Sequence, residues 1–176
     1  MFLKAHLAMA AIATAGCLFS TMPAHAQVSQ SGYVLPMNLA LQAALEAVDA
    51  CKAKGWDVTA TVADVAGTPE VVLRGDHATI HTKDTAYRKA YTIVTMGPIF
   101  HLTATSQFAT LLSKYSPLAG QALASTPNVV ALPGGAAIEA HGEIVAGLGV
   151  GGSPGGENDE ICAKAGVAKI QDSLPR

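Results

Sequence analysis

The chain has 176 residues, half of them hydrophobic and only 14% charged, with a formal net charge of −2 and a mean hydropathy of +0.33. That composition excludes a disordered chain, and the lack of any basic run removes the electrostatic footprint of a nucleic-acid-binding protein. Beyond residue 26 no apolar run approaches the roughly 18 residues of a membrane-spanning helix, so the excess of Ala, Gly and Val points instead to tight helix-on-sheet packing.

The chain opens on an export pattern. Lys4 is followed by an apolar stretch over 7–19 and by Ala24-His25-Ala26, a small-x-small cleavage site. Residues 1–26 are therefore expected to be a signal peptide and 27–176 a single domain, released to a periplasmic or secreted location. The apolar run is too short for an anchor and is followed by Pro23. Thr14-Ala15-Gly16-Cys17 lacks the Leu expected before a lipidated cysteine.

Next comes a helix over 38–54, whose polar positions Asn38, Gln42, Glu46, Asp49 and Lys52 form one stripe on an otherwise buried rod. Gly55 ends it. Residues 56–63 alternate with period two and read as a strand; Gly67 turns the chain into a returning strand at 70–73. A polar connection, 74–81, leads to a helix over 82–96 with Ala86, Ala90, Ile93 and Val94 inward and Gly97-Pro98 as its break. A shorter helix over 104–115 carries Phe108, Leu111, Leu112 and Tyr115; Ser116-Pro117 reads as its stop and 116–127 as loop. A strand at 129–132 precedes the Pro133-Gly134-Gly135 turn. Strands 136–140 and 143–150 flank His141-Gly142, a two-residue hairpin signal. After a glycine-rich loop, 151–156, the last helix starts near Asn158 as N-cap, with Asp159 and Glu160 in its first turn. Hairpins dominate this order, so the fold class is α+β with a mainly antiparallel sheet.

Two cysteines follow the leader, Cys51 and Cys162. They form no CxxC or CxxCH motif, which removes thioredoxin-like, zinc and covalent haem readings. In an oxidising compartment an even pair suggests one disulfide from the first helix to the last; two buried free thiols are the alternative.

The segments VTATVADVAG with VVLRGD, DTAYRKAYT, and LPGGAAIEAHGEIVAGLGVGGSPGGENDEICAKAG resemble the GlcG/HbpS-type haem-binding family, related to the C-terminal domain of PduO-type proteins. The resemblance spans most of 36–172. It implies a profilin-like fold with a five-stranded antiparallel sheet flanked by helices, noncovalently bound haem as cofactor, and a homo-oligomer. The chain departs from the family pattern at Gly67-Thr68-Pro69, where a GN turn is usual, and at His77, where a Gly often follows Arg-Gly-Asp.

Haem iron needs a His, Cys, Met or Tyr donor in apolar surroundings. His81 and His77 are the first candidates, against the reading that His81 and Thr82 merely cap a helix while His77 lies exposed in a loop; His101 is the second, against a surface or capping role, and His141 is explained by its hairpin turn. With Asp84, the pair His77 and His81 would share one helical face if the helix began early, which also allows a weak metal site. Tyr87 and Tyr91 are spaced to stack on a macrocycle or to pack on the sheet. Arg74, Arg88 and Lys89 are candidate partners for propionates or another small carboxylate, with ordinary solvated charge the stronger reading for Lys89.

Gly147, Gly149 and Gly152 match G-x-G-x-x-G, but the chain leaves no room for the second parallel strand of a dinucleotide fold. Close backbone approach along a sheet, in a turn or at a subunit contact explains them better. Ser153 lies outside any nucleophile elbow, and no Ser/His/Asp set is legible. Three functions remain: a haem storage, transport or sensing protein; an accessory or sensor module for a small organic acid held through Arg74; and an enzyme whose site forms between subunits.

Overall fold

The structure, a computed structural model, describes residues 31–176. The expected leader and its cleavage site lie outside the described residues. Helix α1 (Met37–Lys52) leads into the hairpin β1 (Thr59–Asp64) and β2 (Pro69–Arg74). Three helices follow, α2 (Thr82–Phe100), α3 (Thr105–Leu112) and α4 (Pro117–Ala124). The hairpin β3 (Gly135–Ala140) and β4 (Glu143–Gly151) and the helix α5 (Gly156–Ile170) complete the fold. The strands form one antiparallel sheet in the order β2-β1-β4-β3.

Alternation along β1 and β4 divides the core into two halves. Ala60 and Val62 of β1 and Ala146, Leu148 and Val150 of β4 face α1 and α5, whose Ala40, Ala43, Ala44, Ala47 and Ala163 are fully buried beside them. Cys51 and Cys162 are buried in this half and form the disulfide, with Cα atoms 5.6 Å apart across a separation of 111 residues. Closing a loop of that length stabilises the fold by roughly 4–5 kcal/mol in the chain-entropy account.

The opposite face of β4 carries Gly147, Gly149 and Gly151, and α2 lies directly on it. A Cβ at Gly147 would stand 2.5 Å from the Ala90 carbonyl oxygen, and one at Gly149 would collide with the Ala86 carbonyl. Ala86 and Ala90 are the matching small residues of α2, both fully buried. The glycines therefore serve backbone contact, not phosphate binding.

Four sequence expectations change. The 129–132 segment is not a strand, so the sheet has four strands among the described residues rather than five. Its polar backbone is taken by α2 side chains: Arg88 Nη2 donates to Val129 O at 2.6 Å, and Val130 N donates to Thr92 Oγ1 at 2.9 Å. Helix α2 also runs through Gly97-Pro98 to Phe100. Pro98 falls in the last turn, which the left-handed His101 closes while Leu102 N donates to Gly97 O. Residues 117–124 are helical because Ser116-Pro117 is a start as well as a stop. Ser116 Oγ accepts from Ala119 N, and Pro117 takes the first helical position. Finally α5 begins at Gly156, and Asn158 binds Pro154 O instead of capping.

Candidate functional site

Helix α2 has two unlike flanks. Toward β3 and β4 it is sealed. Lys89 is 3% exposed; its Nζ lies 2.7 Å from Asp159 Oδ2 and donates to Val150 O at 2.9 Å. Asp159 Oδ1 accepts from Ser153 N. Lys89 is thus a buried ion-pair partner, not the solvated charge expected from sequence. Glu160, beside Asp159, accepts from Ser106 N and Ser106 Oγ at the start of α3 and from Lys164. Burial pulls its pKa up, but the Lys164 and Ser106 hydrogen bonds and the Lys164 charge outweigh that and hold it below the ordinary value.

On the other flank α2 covers β1 but barely reaches β2. Thr59 Oγ1 and Thr82 Oγ1 lie 2.7 Å apart at its first turn. Tyr87 OH donates to Gly67 O, Tyr91 packs on Gly67, and the two rings stand 5.8 Å apart. Both tyrosines therefore pack on the β1–β2 turn. Val71 and Leu73 of β2 join the α1 side of the core, so Val72 and Arg74 face the α2 side. Val72 remains 49% exposed there, and Ile80 66%.

Two polar atoms in this region are buried without a hydrogen-bond partner, Thr61 Oγ1 and Glu70 Oε2. Thr61 shares the α2 face of β1 with Thr59. Glu70 sits where the β1–β2 register shifts. Burial and then the Asp64 charge raise its pKa.

The structure does not bring the histidines together. His77 lies in the turn after β2, His81 is the N-cap of α2 and His101 its C-cap; all three are exposed. A helix of 19 residues is about 28 Å long, so His81 and His101 cannot serve one ligand. Because α2 starts at Thr82, His77 is outside the helix and the shared face with Asp84 does not form. Among the described residues no cluster of three His, Cys, Asp or Glu could hold a metal ion. Arg74 is exposed and makes no ion pair among the described residues; at the end of β2 it also borders a small cleft of about 240 Å³ on the α1 side, with Leu45, Val48, Lys52 and Trp56. Arg88 is tied to Val129 O.

Sequence reasoning missed the Lys89–Asp159 pair and the orphaned Thr61 and Glu70. A signal for Lys89 was present: it falls beside Ala86, Ala90 and Ile93 on the inner face of α2, where a charge needs a buried partner. Nothing comparable marks Thr61, one of two threonines in a buried strand.

A four-stranded antiparallel sheet between a helix pair and one long helix, with the outer hairpin left partly uncovered, defines an α+β domain of a recognisable kind. The chain belongs to the HbpS-like family: the family model described as "Haem degrading protein HbpS-like" matches residues 35–168. It is similar to the crystal structure of a doubly substituted HbpS from Streptomyces reticuli, at 34% identity and TM-score 0.70 over 92% of this chain and 97% of that one. It is also similar to a PduOC–heme complex, at 27% identity and TM-score 0.68 over 78% of this chain and 96% of that one. The Klebsiella pneumoniae protein ORFY shares the fold, at 19% identity and TM-score 0.68 over 81% and 96% of the two chains. Among curated proteins no match is found.

Proposed function

We propose that the protein is exported and binds haem noncovalently, to store, carry or sense it, on the open face beside the start of α2. The carrying observation is His81. Its exposed ring places Nδ1 3.1 Å from Thr79 Oγ1. With the threonine accepting, Nδ1 holds the proton and the Nε2 lone pair is left for iron. The surroundings suit the group. Ile80 and Val72 are exposed apolar side chains, Tyr87 offers ring surface while its hydroxyl is held by Gly67, and Arg74 is a cation for a propionate. His77 is the alternative donor on this face and His101 a donor at the far end of α2. Arg88 is left out of the ligand set, its guanidinium being drawn to Val129.

The family match and the similarity to a heme complex support the same reading. When bound, haem would supply the iron chemistry; the chain supplies the donor, the apolar contact and the counter-charge. Among the described residues the open face has no opposing wall, and a second copy covering it would complete a pocket, in line with a homo-oligomer. Residues 1–26 would direct export to the periplasm.

A hemin titration of the purified protein tests this. The expected result is a saturable Soret shift near one haem per subunit, weakened at least about tenfold in His81→Ala, the scale of losing one ligand-supporting contact. Wild-type affinity in His81→Ala and His77→Ala would move the iron donor to another end of the molecule. A titration without saturation would remove haem from the account.

A further inference from the structure

We propose a second site, independent of the haem reading, that takes a small amphiphilic carboxylate in the groove between the end of α2 and α3. The groove is open to solvent and offers about 410 Å³, within the range of roughly 300–1,000 Å³ typical of small-molecule sites. Its floor is apolar, from Phe100, Leu102 and Leu111. Leu102 is 8% exposed and belongs with Phe108 and Val129 to a satellite core, so the floor is fixed by packing.

The rim has the polarity an acid needs. Gln107 Oε1 accepts from Thr103 N and Ala104 N, which turns the donor end of its amide, not its acceptor, to any ligand. Thr110 Oγ1 donates to Ser106 O and so presents only an acceptor, which leaves a carboxylate the Gln107 and Lys114 side of the rim. Lys114 is exposed, and its Nζ has no hydrogen bond or ion pair among the described residues. Glu160, which binds the lining residue Ser106, is already matched by Lys164 at 2.7 Å. An apolar floor beneath an unpaired ammonium and an outward amide donor fits a ring or branched chain bearing one carboxylate. A cationic ligand would meet Lys114 and find no carboxylate among the lining residues.

The test uses the haem-free protein and phenylacetate, with phenylacetamide as its uncharged isostere, followed by amide chemical shifts in NMR. Saturable shifts confined to 100–114 are expected with the acid, with affinity at least about tenfold lower for the amide. Lys114→Gln, an exposed change that leaves packing intact, is expected to lower acid affinity about tenfold and amide affinity hardly at all. Lys54→Gln, remote from the groove, should change neither. Equal binding of acid and amide, indifference to Lys114→Gln, shifts centred on 74–87, or no saturation would each overturn the proposal. Because hemin is absent throughout, failure here leaves the haem reading standing, and failure of hemin binding leaves this one.

Discussion

The two flanks of α2 differ in what they tolerate. Against β4 the helix rests on bare backbone, and its buried Lys89 is matched by Asp159. Against β2 the helix falls short, leaving exposed Val72 and Ile80 and unpartnered polar atoms on Thr61 and Glu70. The sealed flank carries stability; the open flank has surface to spare for a ligand. One helix can do both because its small residues, Ala86 and Ala90, lie on one side and its tyrosines on the other.

Substitutions can break or sharpen that contrast. The largest effect is expected for Lys89→Met, which leaves Asp159 buried and unpaired. Chemical denaturation should show a loss of about 3–5 kcal/mol, much of it recovered in Lys89→Met with Asp159→Leu. If the single variant were nearly neutral, the sealed flank would not be sealed.

Gly149→Ala should come next, at about 2–3 kcal/mol, because the new methyl meets the Ala86 carbonyl and α2 must lift. The same measurement reads it, and a cost below about 0.5 kcal/mol would mean the helix shifts freely.

Glu160→Gln tests how the sealed flank holds α3. The folded state lowers this pKa, so its contribution is present above the unfolded value of 4.5 and is lost as pH falls through the folded one. A cost of about 1–2 kcal/mol at pH 7, disappearing in acid, is expected from the lost charge-assisted hydrogen bonds.

Glu70 runs the other way. Its raised pKa means that the folded chain binds the proton more tightly, so stability falls as pH rises from 4.5 through the folded value. Glu70→Gln should raise the melting temperature slightly at pH 7 and not at pH 4, with a gain under about 1 kcal/mol after solvent screening. The smallest change is expected for Arg74→Ala, within about 0.5 kcal/mol. Its effect should instead appear as weaker hemin binding.

Much of the fold was legible from periodicity and turn chemistry. The alternation over 56–63 pointed to β1 (Thr59–Asp64), the polar stripe on an Ala, Leu and Val rod to α1, and His141-Gly142 to the β3–β4 hairpin, where both residues adopt positive φ. The misses came where tertiary contacts outweighed local signals. Val129 and Val130 look like a strand until Arg88 and Thr92 claim their backbone, and Ser116-Pro117 ends one helix while opening another. The candidate site was less legible. The histidines could be named from sequence, but spacing could not reveal that His81 and His101 cap opposite ends of one helix. Nor could it show that Arg88 is engaged by a carbonyl 41 residues away.

The Cys51–Cys162 bridge makes completeness of synthesis a condition for oxidation. Cys51 waits while 111 further positions emerge, and its partner arrives only with the last helix. A chain stalled or clipped before Cys162 carries an unpaired thiol, which an alkylating tag would count. The bridged molecule carries none beyond residue 26, so the bond separates chains made past Cys162 from those that were not.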